Sequence, residues 1–122
     1  MIFLSSIPRS GSTLLTSLLN QRPDVYASPT SNLCDIMGAQ VKAWENSITT
    51  HAQGGTESDL LRLLKTTIDN RYDTHKIVID KGRGWPDPRI ISTLLKLQDD
   101  VKIIATVRPV NECLASFVKL LK

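Results

Sequence analysis

Between Ile2 and Leu15 the chain reads Ile-Phe-Leu-Ser-Ser-Ile-Pro-Arg-Ser-Gly-Ser-Thr-Leu-Leu: an apolar run, a turn of small residues and the start of a leucine-rich pattern in immediate succession. A strand that turns this tightly into a helix aims several backbone N–H groups at one point, with the positive end of the helix dipole behind them. Gly11 lets the backbone come close to whatever sits there. Ser10, Ser12 and Thr13 add hydroxyls and Arg9 adds a fixed charge, so the natural ligand is a phosphate or sulfate ester. The nucleoside triphosphatase loop reads G-x-x-x-x-G-K-[ST]; here Ser12 follows Gly11, no glycine stands five positions before it, and the cation has moved ahead of the glycine to Arg9.

A second strand-turn-helix pattern runs through Val101-Lys-Ile-Ile-Ala-Thr-Val-Arg108-Pro109-Val-Asn-Glu-Cys-Leu-Ala-Ser116, with an arginine at the strand end and a serine eight residues on. Together the two stretches resemble the sulfotransferase family. The loop Arg9-Ser10-Gly11-Ser12-Thr13-Leu14-Leu15 matches the family's 5′-phosphosulfate loop, [RK]-S-G-[ST]-T-x-L, throughout. The resemblance implies that Arg9, Ser10, Gly11, Ser12, Thr13 and Leu14 hold the 5′ end of 3′-phosphoadenosine 5′-phosphosulfate and that Arg108 and Ser116 hold its 3′-phosphate. The family pattern R-[DN]-P is altered here, because Pro109 follows Arg108 directly.

The resemblance also implies a lysine near the reacting sulfate. Lys81, in Ile79-Asp80-Lys81-Gly82-Arg83-Gly84-Trp85-Pro86, stands at that place, and it would share with Arg9 the task of neutralising charge on the oxygen that leaves; the alternative is a plain surface lysine in a strand-end loop. Trp85-Pro86 either closes an acceptor pocket or packs the loop. A hydroxyl acceptor also needs a base. Relatives supply a histidine after that strand or a glutamate after the first helix; here those places read Arg83 and Ala27-Ser28-Pro29-Thr30-Ser31, so the base is unassigned among Asp80, His51, His75, Asp35 and Glu45. His51, His75, Cys34 and Cys113 are isolated and lack ligand spacing, so no metal is expected.

The elements that must carry these groups are legible as periodicity. Ile2-Phe3-Leu4, Ile77-Val78-Ile79 and Val101–Val107 are β-branched, nearly continuous apolar runs, as strands buried on both faces of a parallel sheet require. Thr13–Asn20, Ser58–Asn70 and Arg89–Gln98 carry leucines and isoleucines at helical spacing, and further helical patterns lie around Cys34–Glu45 and from Asn111 onward. Thr56 or Ser58 is placed to cap one of them. Gln21–Asn32 is expected to be a loop or connector, with Arg22-Pro23-Asp24 as a turn, and Met37 and Trp44 are expected in the core. Strands alternating with helices give an α/β fold, a P-loop-like parallel sheet flanked by helices.

The 122 residues, 41% apolar and 22% charged, suit one soluble domain over 1–122 and argue against disorder and coiled coil. No apolar run nears the ~20 residues needed to cross a bilayer, and no signal peptide is evident. A formal net charge of +3 is too small to imply nucleic acid but suits a small polyanion. The two cysteines are expected as reduced thiols, hence a cytoplasmic protein.

Family members generally run to twice this length, and the apolar residues from Cys113 to Leu121 exceed what one sheet face buries. A domain incomplete at its C-terminus, prone to self-association, is therefore expected. The function implied is sulfuryl transfer from that donor to a hydroxyl or amine of a small molecule or glycan. The rivals are a P-loop nucleotide or phosphate kinase and a non-catalytic bisphosphate-binding module.

Overall fold

The computed structural model describes residues 1–72 and 75–121. Its elements run in the order β1 (Ile2–Ser6), α1 (Ser12–Leu19), β2 (Val25–Ala27), α2 (Leu33–Glu45), α3 (Ile48–Ala52), α4 (Glu57–Asp69), β3 (Ile77–Lys81), α5 (Pro88–Leu97), β4 (Lys102–Thr106) and α6 (Val110–Leu120). The four strands form one sheet in the order β2-β3-β1-β4, and every pairing is parallel. The fold is the expected α/β class.

Alternation along β1 divides the interior. Phe3 faces a core built from Leu33, Cys34, Met37, Leu64, Ile68, Trp85 and Leu94. Its neighbour Leu4 faces the other side and packs with Val25, Ala27 and Ile79, covered by Leu15 and Leu19 of α1. The helix starts follow from local chemistry. Thr56 and Asp59 form a reciprocal capping box at α4, and Asp87 accepts from the Arg89 amide ahead of Pro88 at α5.

Two expectations are corrected. Gln21–Asn32 is not merely a connector, because it holds β2: Val25 and Ala27 are buried, Tyr26 points outward, and the strand pairs with β3. Three residues are too few for periodicity to show. The run Val101–Val107 is not buried on both faces, since β4 pairs only with β1 at the sheet's edge and Ile104 and Val107 are 39% and 90% exposed. Its continuous apolar character describes a surface that stays exposed among the described residues.

Arg22-Pro23-Asp24 is the expected turn. The Arg22 guanidinium grips the Asp24 carboxylate at 3.0 and 2.8 Å, and the Asp24 carbonyl accepts from the Ile77 amide at 2.9 Å. Met37 is fully buried in the core, while Trp44 is half-buried beside Gly55. Among the described residues no helix is long and apolar enough to cross a membrane.

Candidate functional site

All four strands run the same way, so the loops after β1, β2, β3 and β4 gather at one edge of the sheet. The chain travels from β1 to one side for β2 and β3 and then to the other for β4, which makes β1 the strand where the winding reverses. In open α/β sheets that is where ligands bind.

The loop after β1 is bent as its composition requires. Arg9 adopts φ +66°, uncommon outside glycine, and Gly11 adopts φ +94° as the N-cap of α1. No side chain caps that helix and its first turn carries no acid, which leaves the helix start open to an anion. Ser6 donates to Ser12 at 2.8 Å. Ser10 donates to the Ile7 carbonyl at 2.7 Å and shares a hydrogen bond with Thr106 at 2.7 Å, so its hydroxyl ties the loop to β4.

Lys81 ends β3 beside this loop. Its amide donates to Ser28 Oγ at 2.8 Å, its carbonyl accepts from the Ser31 amide at 2.8 Å, and the next amide, of Gly82, donates to the Leu4 carbonyl at 3.0 Å. Held on three sides, Lys81 extends its Nζ to Thr13 Oγ1 at 3.0 Å. Burial, and secondarily the charge of Arg83, holds its ammonium below the usual lysine pKa.

Arg9, Ser12, Thr13, Asp35, Lys81 and Arg83 share the walls of one cavity of about 640 Å³, with Phe117 and Leu120 of α6 opposite. Three cations against one carboxylate give this space the potential an anionic group seeks. Ser10, Gly11, Leu14, Arg108 and Ser116 do not line it.

Arg108 and Ser116 join it through Arg9. The Arg108 guanidinium donates to the Arg9 carbonyl at 3.1 Å and pairs with Glu112 at 2.9 Å, while Arg9 Nε donates to Ser116 Oγ at 2.9 Å. The altered turn is accommodated, because Pro109 sits at φ −52°, ψ 134° and α6 starts directly after it. The two expected anion-binding groups are thus adjacent, with Arg9 between them.

The candidate bases separate sharply. Asp80 is fully buried, and its carboxylate accepts from Tyr72 Oη at 2.5 Å and Trp85 Nε1 at 3.0 Å, so it is structural. Trp85 packs on Phe3 with ring centroids 4.4 Å apart; it packs the loop rather than closing a pocket. A side chain at Gly82 would strike Trp85 at 2.9 Å, and one at Gly84 would strike Cys34 Sγ at 2.5 Å, so the close approach of the Lys81 loop to the core requires both glycines. His51 bonds the Glu45 carbonyl on the surface, and His75 is exposed; neither lines the cavity. Glu45 also lies outside it, which leaves Asp35 as its one acidic wall residue. Burial, with Asp35, Asp80 and Asp87 nearby, pushes the Cys34 thiol up to about 11, which makes it a poor nucleophile. Among the described residues no group of three or more potential ligands could hold a metal.

Sequence reasoning missed the part played by α6. Phe117 and Leu120 read as surplus apolar residues, and nothing in their spacing says that they wall a cavity whose floor lies a hundred residues earlier.

No curated protein matches the chain. A family model described as "Sulfotransferase family" matches residues 2–122, and on that match, which spans the anion loop, Lys81 and the Arg108–Ser116 pair alike, the chain belongs to the sulfotransferase family.

Proposed function

We propose that this chain takes a sulfuryl group from 3′-phosphoadenosine 5′-phosphosulfate and passes it to a hydroxyl or amine acceptor, a small molecule or glycan, without metal. The observation that carries this is the 3.0 Å contact of Lys81 Nζ with Thr13 Oγ1 in a cavity that Arg9 also lines. The donor set suits a phosphosulfate: guanidinium, ammonium, two hydroxyls and an uncapped helix start. When bound, the donor supplies an activated sulfuryl group on a phosphate leaving group.

The chain's own residues do the rest. The α1 start with Ser12 and Thr13 orients the 5′ end, and Arg9 and Lys81 stabilise charge as it develops on the bridging oxygen. Arg108 and Ser116 receive the 3′-phosphate. A cytoplasmic setting is supported by Cys34 and Cys113, which are free and buried. Titration calorimetry with adenosine 3′,5′-bisphosphate tests the proposal, with binding at one site expected. A folded chain that fails to bind this nucleotide, yet is stabilised by ATP with magnesium, would overturn it in favour of a kinase.

A further inference from the structure

Beyond the cavity just described lies a second space of about 1010 Å³, a cleft between α2 and α5 whose walls include Lys42, Glu45, Asn46, Arg89, Ser92 and Thr93. The two spaces share Cys34, Asp35 and Gly84 as walls, so they adjoin, and the exposed Asp35 stands at their border. Of the five acids and histidines weighed as bases, Asp35 alone borders both. It lies exposed in the first turn of α2, and its carboxylate makes no side-chain hydrogen bond or ion pair to any described residue. Both of its oxygens are available to a ligand.

We infer that the α2–α5 cleft is the acceptor subsite and that Asp35, at its junction with the cavity, takes the acceptor's proton. The inference rests on the sulfuryl-transfer reading and deepens it. As the acceptor oxygen forms its bond to sulfur, the bond from sulfur to the bridging phosphate oxygen breaks. The hydroxyl proton passes to the Asp35 carboxylate, and the charge left on the departing phosphate faces Lys81.

The walls also select the acceptor's class. They carry donors and acceptors of both charge signs beside the aliphatic faces of Val41 and Ile90, and among the described residues no aromatic ring lines the cleft. Its volume is at the upper end of the range for small-ligand sites. Such a surface fits a polyhydroxylated body on the scale of a di- or trisaccharide better than a flat aromatic alcohol.

Two variants test this, with transfer of radiolabelled sulfate from the donor measured to a panel of unsulfated di- and trisaccharides and to 2-naphthol. Asp35→Asn should lower kcat for the saccharides at least 100-fold, the lower end of what a positioned base contributes, while adenosine 3′,5′-bisphosphate affinity stays within threefold. Gly38→Leu places a side chain in the cleft from α2, at a position where an added Cβ meets nothing within 4 Å; it should raise the saccharide KM at least tenfold and leave nucleotide affinity unchanged. Retained kcat in Asp35→Asn, an unchanged KM in Gly38→Leu, or preferential sulfation of 2-naphthol would each overturn the assignment. So would a chain that binds the nucleotide but sulfates no saccharide. Failure of the unaltered chain to bind adenosine 3′,5′-bisphosphate would instead sink the sulfuryl-transfer reading beneath it.

Discussion

If Arg108 receives the 3′-phosphate as proposed, replacing it by alanine should separate recognition of that group from everything else the loop does. In the free chain its guanidinium makes two contacts, to Glu112 at 2.9 Å and to the Arg9 carbonyl at 3.1 Å, on a side chain that is 38% exposed. A phosphate arriving there competes with Glu112. Arg108 precedes α6, so its bond to Glu112 is an exposed ion pair worth only about 0.2–1 kcal/mol, whereas a charge-assisted bond to a ligand phosphate is worth about 1.5–3 kcal/mol. The exchange therefore favours the ligand. Arg108→Ala should weaken adenosine 3′,5′-bisphosphate by roughly 10- to 150-fold at about 1.4 kcal/mol per decade, and Glu112→Gln should tighten it by about fivefold at most. Calorimetry run in parallel with adenosine 5′-phosphosulfate, which lacks the 3′-phosphate, supplies the control, and its affinity should change less than about threefold. Equal weakening of both nucleotides would refute the reasoning. Arg108 would then act by buttressing the left-handed Arg9 backbone and not by contacting phosphate.

Lys81→Met should lower kcat about 10²- to 10³-fold with little change in nucleotide affinity, the loss expected when one donor to a developing oxyanion is removed. Because the protonated ammonium is the active form and burial depresses its pKa from 10.5, kcat should fall as pH rises through that lowered value, and Lys81→Arg should remove this alkaline limb. Chelators should leave turnover unchanged, since Arg9, Lys81 and Arg83 already supply the positive potential; activity abolished by chelation and restored by magnesium would revive the kinase alternative. Asp80→Asn should cost about 1–3 kcal/mol, because Tyr72 and Trp85 donate to different carboxylate oxygens and one of these becomes an NH2 group that cannot accept, and thermal unfolding should show Tm lower by about 5–15 °C. Leu114, Val118 and Leu120, 59%, 54% and 66% exposed on α6, should drive self-association that light scattering detects and that Leu114→Glu reduces; a monodisperse monomer would count against it.

The fold was legible where a pattern is long and its burial one-sided. α4 and α5 alternate apolar and polar faces for three turns, so their bounds differ by one residue from those the leucines and isoleucines imply. β2 was not legible, because Val25-Tyr26-Ala27 has no local signature and exists as a strand only through β3, fifty residues later. β4 shows the opposite failure. Its composition speaks of burial, but an apolar run records only that its side chains suit a dry environment and not whether the fold provides one. Ile103 faces the core while Ile104 stands at the open face, and no residue type distinguishes them.

Within the site, legibility depended on whether chemistry resides in the backbone or in the meeting of distant side chains. The turn proposed to hold the phosphosulfate is backbone chemistry written in seven consecutive letters, Arg9 to Leu15, whose left-handed Arg9 and Gly11 the structure bears out. Asp35 is the contrary case. Five acids and histidines had equal claims in the sequence, and what separates them is burial and company: Asp80 lost its claim to Tyr72 and Trp85, and Asp35 gained one by standing where two cavities meet. The two carboxylates differ in role because of their surroundings alone. One is sealed under the sheet with both oxygens engaged, where it fixes the Lys81 loop, while the other is free at a cavity mouth where a proton can be taken. On the proposed reading, Asp80 therefore serves to position the Lys81 loop, and Asp35 is the carboxylate left for the chemistry in the cavity that Asp35 and Lys81 both line.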